Sequence, residues 1–238
     1  VDAILHHGDI FSIWQTKDKI PLICFGILGM LGVQYTYFET IVHSNAATST
    51  ILQYLMPIFI VLYLLITTHR IPRKIELFSI FLAMLGTFLL VTKGQLNTLA
   101  ISPAALAWGL TCAVFAAFYT LQPRQIIKRW RSTLVIGWGM LIGGVVMCFY
   151  QPFWEFTGIF DLDTAISFSA IIIFGTAIAF CAYLESTKYL SPTKISVFAS
   201  LEPFSSIILS IIFLNINFGF IELIGAFIII FAVTILNI

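Results

Sequence analysis

Hydrophobic residues along this chain arrive in eight long blocks rather than in alternation with polar ones. The blocks run approximately Pro21–Thr40, Ala46–Thr67, Ile75–Val91, Pro103–Leu121, Leu134–Tyr150, Ala165–Tyr189, Thr193–Phe213 and Phe218–Asn237. Each has the length of a helix that crosses a bilayer, at about 1.5 Å of rise per residue for a hydrocarbon core about 30 Å thick. Short connections with turn-forming residues separate them, such as HRIPRK, KGQLNTLAISP and QPRQIIKRWRS. Alternating strands that would suggest a barrel are absent from the pattern. The expected fold class is an all-α integral membrane protein, a polytopic helix bundle.

One block departs from its own pattern. Thr193–Phe213 reads TKISVFASLEPFSSIILSIIF, with Glu202 and Pro203 side by side almost at its centre. A carboxylate at that depth is costly, and proline removes a backbone hydrogen bond from the helix interior. The pair is the first place to look for function.

Composition sharpens the membrane reading. Hydrophobic residues make up 60% of the chain and charged ones 10%, with mean hydropathy +1.02; a soluble domain carries roughly 25% charged residues. The net charge of +1 gives no reason to expect nucleic acid as a partner. Cys24, Cys112, Cys148 and Cys181 all fall inside apolar spans, with neither disulfide nor metal spacing, and read as buried small residues. The opening segment VDAILHHGDIFSIWQTKDK lacks the basic and apolar regions of a signal peptide. A chain that opens on Val1 also suggests a truncated or differently started protein.

Lys and Arg placement sets the expected orientation. With the N-terminal segment cytoplasmic, Lys17, Lys19, Arg70, Arg73, Lys74, Arg124, Lys128, Arg129, Arg131, Lys188 and Lys194 lie inside and only Lys93 outside. Eight spans then put both ends of the chain in the cytoplasm, in a multi-pass protein of the cell membrane, the inner membrane if the source is bacterial.

The blocks also repeat. Residues 21–92 lie over residues 167–238 without a gap, at a constant offset of 146. Tyr37 meets Tyr183, Glu39 meets Glu185, Gly29 meets Gly175, Leu55 meets Leu201 and Pro57 meets Pro203. Ile75-Glu76-Leu77 meets Ile221-Glu222-Leu223, and Phe81 meets Phe227. Span one runs outward and its counterpart, span six, inward, which is the inverted-topology arrangement of many secondary transporters. The second copy has two spans before its matched triplet and the first has none. The expectation is a ten-helix plan of which eight spans are present: residues 1–92 as a truncated first repeat with three spans, and 93–238 as a second repeat with five.

These residues resemble the EamA branch of the drug/metabolite transporter superfamily. The resemblance is carried by LEPFSSIIL at Leu201–Leu209, LMPIFIVLY at Leu55–Tyr63, ELIGAFIIIFAV near the C-terminus and AFYTLQPR at the end of span four. It implies a five-helix unit repeated in opposite orientation, and transport of small metabolites such as amino acids. The Gly-Glu pair usual after the proline-bearing helices is replaced here by THR at Thr68–Arg70 and LNI at Leu214–Ile216.

Several residues are candidates for the chemistry. Glu202 reads as a contact for a substrate cation, a proton-coupling carboxylate or a gate; the alternative is a packing carboxylate bonded to serines of a neighbouring helix. Its repeat partner is Met56, so only one half supplies the acid. Pro57 and Pro203 read as hinges or static kinks. Gln53, a turn before Pro57, projects onto the same face, alongside Tyr54 and its counterpart Ser200. Tyr37 and Tyr183 are expected cavity walls, with Glu39 and Glu185 as interfacial anchors. Glu76 and Glu222 begin helices and suit the positive end of the helix dipole. Trp108 and Tyr119 could stack on an aromatic or apolar substrate, or pack.

Gly139 with Gly143, and Gly26, Gly29 and Gly32, read as close helix packing. His6, His7, His43 and His69 show no metal-ligand spacing, and HExxH, P-loop, GxSxG and dinucleotide motifs are absent, so neither an enzyme nor a cofactor or metal site is expected. The expected function is a secondary transporter, an exporter by resemblance, working by alternating access at a midplane cavity between the repeats. Its partners would be a small-molecule substrate and the lipid bilayer, with a homodimer left open. The rival reading is a truncated, non-transporting membrane fragment or a remnant that serves only in assembly.

Overall fold

The computed structural model describes residues 10–68, 73–93, 101–155, 161–179, 182 and 201–236. All regular structure among the described residues is helical. In chain order the α-helices are α1 (Lys19–Cys24), α2 (Gly32–His43), α3 (Ala46–Gln53), α4 (Met56–Thr68), α5 (Lys74–Thr92), α6 (Pro103–Leu121), α7 (Arg124–Arg129), α8 (Ser132–Tyr150), α9 (Leu162–Ala170), α10 (Leu201–Leu214) and α11 (Phe220–Leu236). Among the described residues five runs are long and apolar enough to cross a bilayer: Lys19–His43, Ala46–Thr67, Lys74–Thr92, Pro103–Arg129 and Ser132–Tyr150. Leu162–Ile178, Ser205–Leu214 and Phe220–Ile235 are shorter apolar helices. Together they fall on the eight expected blocks, and the protein is an all-α, multi-pass membrane protein.

Local chemistry explains where the helices start. Asn45 caps α3 by accepting the Thr48 N–H at 2.9 Å, and Ser102 caps α6 by accepting the Ala105 N–H at 3.1 Å, with Pro103 at the first helical position. Asp161 accepts the Thr164 N–H at 2.8 Å, so α9 begins at Leu162, three residues before the apolar block suggests. Glu76 reaches back to the backbone N–H of Arg73 at 2.7 Å, and Glu222 to that of Gly219 at 2.6 Å. Those two caps stand 146 residues apart, as the repeat requires.

The same offset appears in a rarer feature. A π-helical stretch, Phe25–Leu31, joins α1 to α2, and a second, Ile171–Ile178, extends α9. Each carries one glycine of the matched pair, Gly29 and Gly175. A π-helical stretch is rare and widens the helix locally.

Within the chain two compact units form, one from residues 32–121 and 192–238, the other from 1–31 and 122–191. In the first, α2 packs on α6, α3 fits among α2, α6 and α10, and α5 lies along α11. Its core includes Ile51, Leu52, Leu55, Ala83, Leu90, Ile207 and Ile229. The α5–α11 crossing is close because both helices present glycine: a Cβ on Gly86 would stand 2.7 Å from the Gly225 carbonyl oxygen, and a Cβ on Gly225 would stand 2.7 Å from that of Gly86. Ser79 and Ala232, their repeat counterparts, are likewise small and buried. Lys93, left-handed at φ 53° just past α5, pairs with Glu222 at 3.1 Å. The one cation expected outside is therefore neutralised by a neighbouring helix start.

In the second unit Gly26 meets the Gly139 and Gly143 motif, whereas Gly29 faces Phe25 of its own segment. A Cβ on Gly26 would press on Ile142 and the Gly139 carbonyl, one on Gly139 on Phe25, and one on Gly143 on the Gly26 carbonyl and Leu31. The start of α1 is tied to the segment around α7: Asp18 accepts from Arg129 Nη1 and Trp130 Nε1, both at 2.9 Å, and Gln122 donates to the Pro21 carbonyl at 2.7 Å. Trp138 packs edge-on against Phe11 and Trp14 and donates to the Ile10 carbonyl.

Candidate functional site

The site grows from α3, the most polar stretch inside an apolar span. Thr48, Ser49 and Thr50 follow one another there and are all buried. Polar groups at membrane depth face the bundle interior and find partners, because hydrocarbon offers none. Ser49 donates to the Tyr37 carbonyl at 3.0 Å, fixing α3 to α2. Thr50 is the hub: its hydroxyl donates to the Ala46 carbonyl at 2.9 Å, lies 2.9 Å from the Tyr37 hydroxyl and accepts from Ser206 of α10 at 3.2 Å. Three helices thus meet through side-chain oxygens.

Glu202 stands one turn before Ser206, so the two share a face of α10. The residue is exposed while Pro203 beside it is buried, and the Ser205 hydroxyl donates to the Glu202 backbone carbonyl at 2.8 Å. Among the described residues the Glu202 carboxylate has no hydrogen-bond or ion-pair partner, and it lies within electrostatic range of the Tyr37 hydroxyl. Glu202 therefore stands in the first turn of α10, on the face that carries Ser206 and its hydroxyl group.

The other expected residues are placed as follows. Gln53 and Tyr54, both half-buried, sit where the second span is interrupted. There the backbone tightens, with Leu55 N–H bonding the Leu52 carbonyl and Ile58 N–H the Leu55 carbonyl, before α4 resumes at Met56. The kink falls ahead of the buried Pro57, as a missing N–H at that position would produce. It also means that the simple one-turn projection of Gln53 onto Pro57 does not carry across the break. Met56, the counterpart of Glu202, lies 3.1 Å through its sulfur from the Thr120 hydroxyl. Trp108 packs edge-to-face on Tyr35 with ring centres 5.8 Å apart. Tyr119 is half-buried on α6. Tyr183, Ser200, Glu185, Cys181 and His69 lie outside the described residues.

Sequence reading missed Thr50, Ser49 and Ser206. Two signals pointed to them: the Thr-Ser-Thr run in an otherwise apolar block, and Ser206 four residues after Glu202. Cys24, Cys112 and Cys148 are free thiols, and the described residues contain no group of three or more His, Cys, Asp or Glu that could hold a metal.

Comparison with known proteins gives this architecture a family. The model of the EamA-like transporter family matches residues 3–92 and 103–238. YicL of Salmonella typhimurium, described as an uncharacterized inner membrane transporter, is 37% identical over 236 residues, covering 97% of this chain and 78% of that protein. YyaM of Bacillus subtilis, described as an uncharacterized transporter, is 24% identical over 208 residues, 82% of this chain and 65% of that one. A solved crystal structure superposes with a TM-score of 0.63 over 94% of this chain and 77% of its own, at 18% identity, and so speaks for the fold. A match across nearly the whole chain leaves one conclusion: this protein belongs to the EamA-like transporter family.

Proposed function

We propose that this protein is a secondary transporter that exports small metabolites such as amino acids, by alternating access at a midplane cavity between two inverted repeats. The observation that carries the proposal is Glu202, one turn before Ser206 of the Tyr37–Thr50–Ser206 hydroxyl group, in a stretch whose sequence reads as a span. Ionisable groups at such depth mark substrate or ion paths. The repeats proposed are residues 1–92 and 93–238, and the recurring caps at Glu76 and Glu222 and the recurring π-turns support that pairing. Pro57 and Pro203 are the proposed hinges; the interrupted second span ahead of Pro57 supports a helix that bends there. Gln53, Tyr54, Ser200, Tyr183, Trp108 and Tyr119 are the further wall residues of the proposal.

No nucleotide-binding motif is present in the sequence, so the energy would come from a gradient, or transport would be passive. The proposed location is a bacterial inner membrane with both ends of this chain in the cytoplasm, which the Lys and Arg distribution supports. The test is flux in proteoliposomes across a broad metabolite panel, with Glu202→Gln beside the parent. Flux of at least one metabolite that falls about tenfold or more in the variant is expected. A parent that moves nothing across the panel overturns the proposal.

A further inference from the structure

We propose that Tyr37, Thr50, Ser206 and Glu202 form a subsite for a protonated amino group on the transported molecule; this deepens, and rests on, the transporter reading above. The argument is an accounting of protons. A hydroxyl has one proton to donate and two lone pairs to accept with. Thr50 places its proton on the Ala46 carbonyl at 2.9 Å. It can therefore only accept from its two hydroxyl neighbours, Ser206 at 3.2 Å and Tyr37 at 2.9 Å. Those bonds fill both Thr50 lone pairs, and they fix Tyr37 and Ser206 as the donors.

The protons nearby are committed too. Ser49 gives its own to the Tyr37 carbonyl at 3.0 Å, and Ser205 gives its own to the Glu202 carbonyl at 2.8 Å. What the group still offers is the spare lone pairs of Tyr37 Oη and Ser206 Oγ and the carboxylate of Glu202, all acceptors. Tyr37 and Ser206 are half-buried and Glu202 is exposed, and this open side is the one a ligand is proposed to approach. The cations described in this unit lie at helix ends: Arg73 and Lys74 at the start of α5, and Lys93 in its pair with Glu222.

A set of acceptors with one negative charge selects its ligand by chemistry. A primary ammonium brings several N–H donors, a positive charge and no acceptor, and each of its bonds here is charge-assisted. A carboxylate, phosphate or sulfate would meet lone pairs and a like charge. A neutral alcohol can give only one bond. Sodium is attracted to the same oxygens but has no N–H to direct, so it is the competitor the experiment separates.

The experiment uses the full chain in phosphatidylcholine nanodiscs and measures binding of 2-phenylethylamine, 2-phenylethanol and 3-phenylpropionate at neutral pH, in sodium and in potassium salt. The amine is expected to bind about tenfold or more tighter than the alcohol, with the acid weakest, irrespective of the salt. Glu202→Gln removes the amine's advantage over the alcohol and Glu202→Asp restores part of it. Thr50→Val frees the Tyr37 and Ser206 protons to turn outward, and Ser206→Ala deletes one acceptor; each narrows the preference about threefold. Equal binding of amine and alcohol, preference for the acid, no binding of any of the three, or displacement of the amine by sodium alone overturns the subsite. Amine binding without flux keeps the subsite and overturns the transporter reading. Flux with no preference for amines does the reverse.

Discussion

The α5–α11 crossing, where backbone meets backbone at two glycines, offers the sharpest test of the packing. In Gly225→Ala the new Cβ stands 2.7 Å from both the Gly86 carbonyl oxygen and the Leu90 nitrogen; in Gly86→Ala it stands 2.7 Å from the Gly225 carbonyl oxygen and 3.0 Å from the Ile229 nitrogen. Ordinary contact begins near 3.4 Å. The obstacles are backbone atoms, so no rotamer can yield, and α5 and α11 must move apart by about 0.5–1 Å along their crossing. A gap of that size forfeits about a quarter to a half of each dispersion contact it opens, and overpacking of this kind costs about 1–3 kcal/mol. One separation relieves both clashes, so the double variant should cost less than the sum of the two singles by about 0.5 kcal/mol or more. Gly144→Ala is the control: it sits inside α8 with nothing within 4 Å of its Cβ. It should be neutral, or stabilise by up to about 1 kcal/mol through helix propensity. Reversible unfolding of the full chain in mixed micelles, followed by far-ultraviolet circular dichroism, gives all four values. Singles that lose nothing, or strict additivity in the double, would refute the close-crossing account.

Three further outcomes follow from particular bonds. Asp18→Ala leaves Arg129 and Trp130 without their shared acceptor and should destabilise more than Asp18→Asn, which keeps a carbonyl oxygen; because Arg129 is largely exposed the ionic part should be under about 1 kcal/mol and fade in high salt. Trp130 emission and unfolding midpoints at low and high salt would check this. Glu222→Gln keeps an acceptor for the Gly219 N–H and loses only the Lys93 pair, so it should cost less than Glu222→Ala, which removes the cap as well, by about 1 kcal/mol; thermal unfolding of the two variants decides the order. Bonds from Thr164 hold the Asp161 carboxyl below its ordinary range, so its contribution is present above the unfolded value of about 3.9 and is lost as the pH falls through the lower folded one. A carboxyl NMR titration of Asp161 with a midpoint at or above about 3.9 would contradict that.

Much of the architecture was open to reading from the chain alone, because bilayer crossing is a matter of length and composition. Helices fall on each of the eight blocks over their described residues, and Glu76 and Glu222 became caps, since a carboxylate at the third helical position needs only its own helix start to act. The glycine motifs were readable as packing, yet not their partners: nothing local says that Gly26 meets Gly139, or Gly86 meets Gly225. The π-turns and the tether from Asp18 to Arg129 and Trp130 were invisible for the same reason, as each depends on which segment lies alongside.

The offset of 146 separates scaffold from chemistry in a way that neither the pattern nor the coordinates do alone. Where the copies agree, as at the Glu76 and Glu222 caps and the two π-turns, the shared feature shapes the backbone. Around Thr50 the agreement is partial. Tyr37 and Thr50 correspond to Tyr183 and Ser196, so both copies carry hydroxyls there, whereas Glu202 and Ser206 correspond to Met56 and Ile60. The first repeat therefore contributes only neutral oxygens to this group, and the second contributes the charge. The subsite proposed above is then polar from two sides but negative from one, an arrangement that would orient a ligand with a positive end and an apolar remainder. Symmetry accounts for the helices that carry the group, and its failure at Glu202 and Ser206 is what gives the proposed subsite a direction.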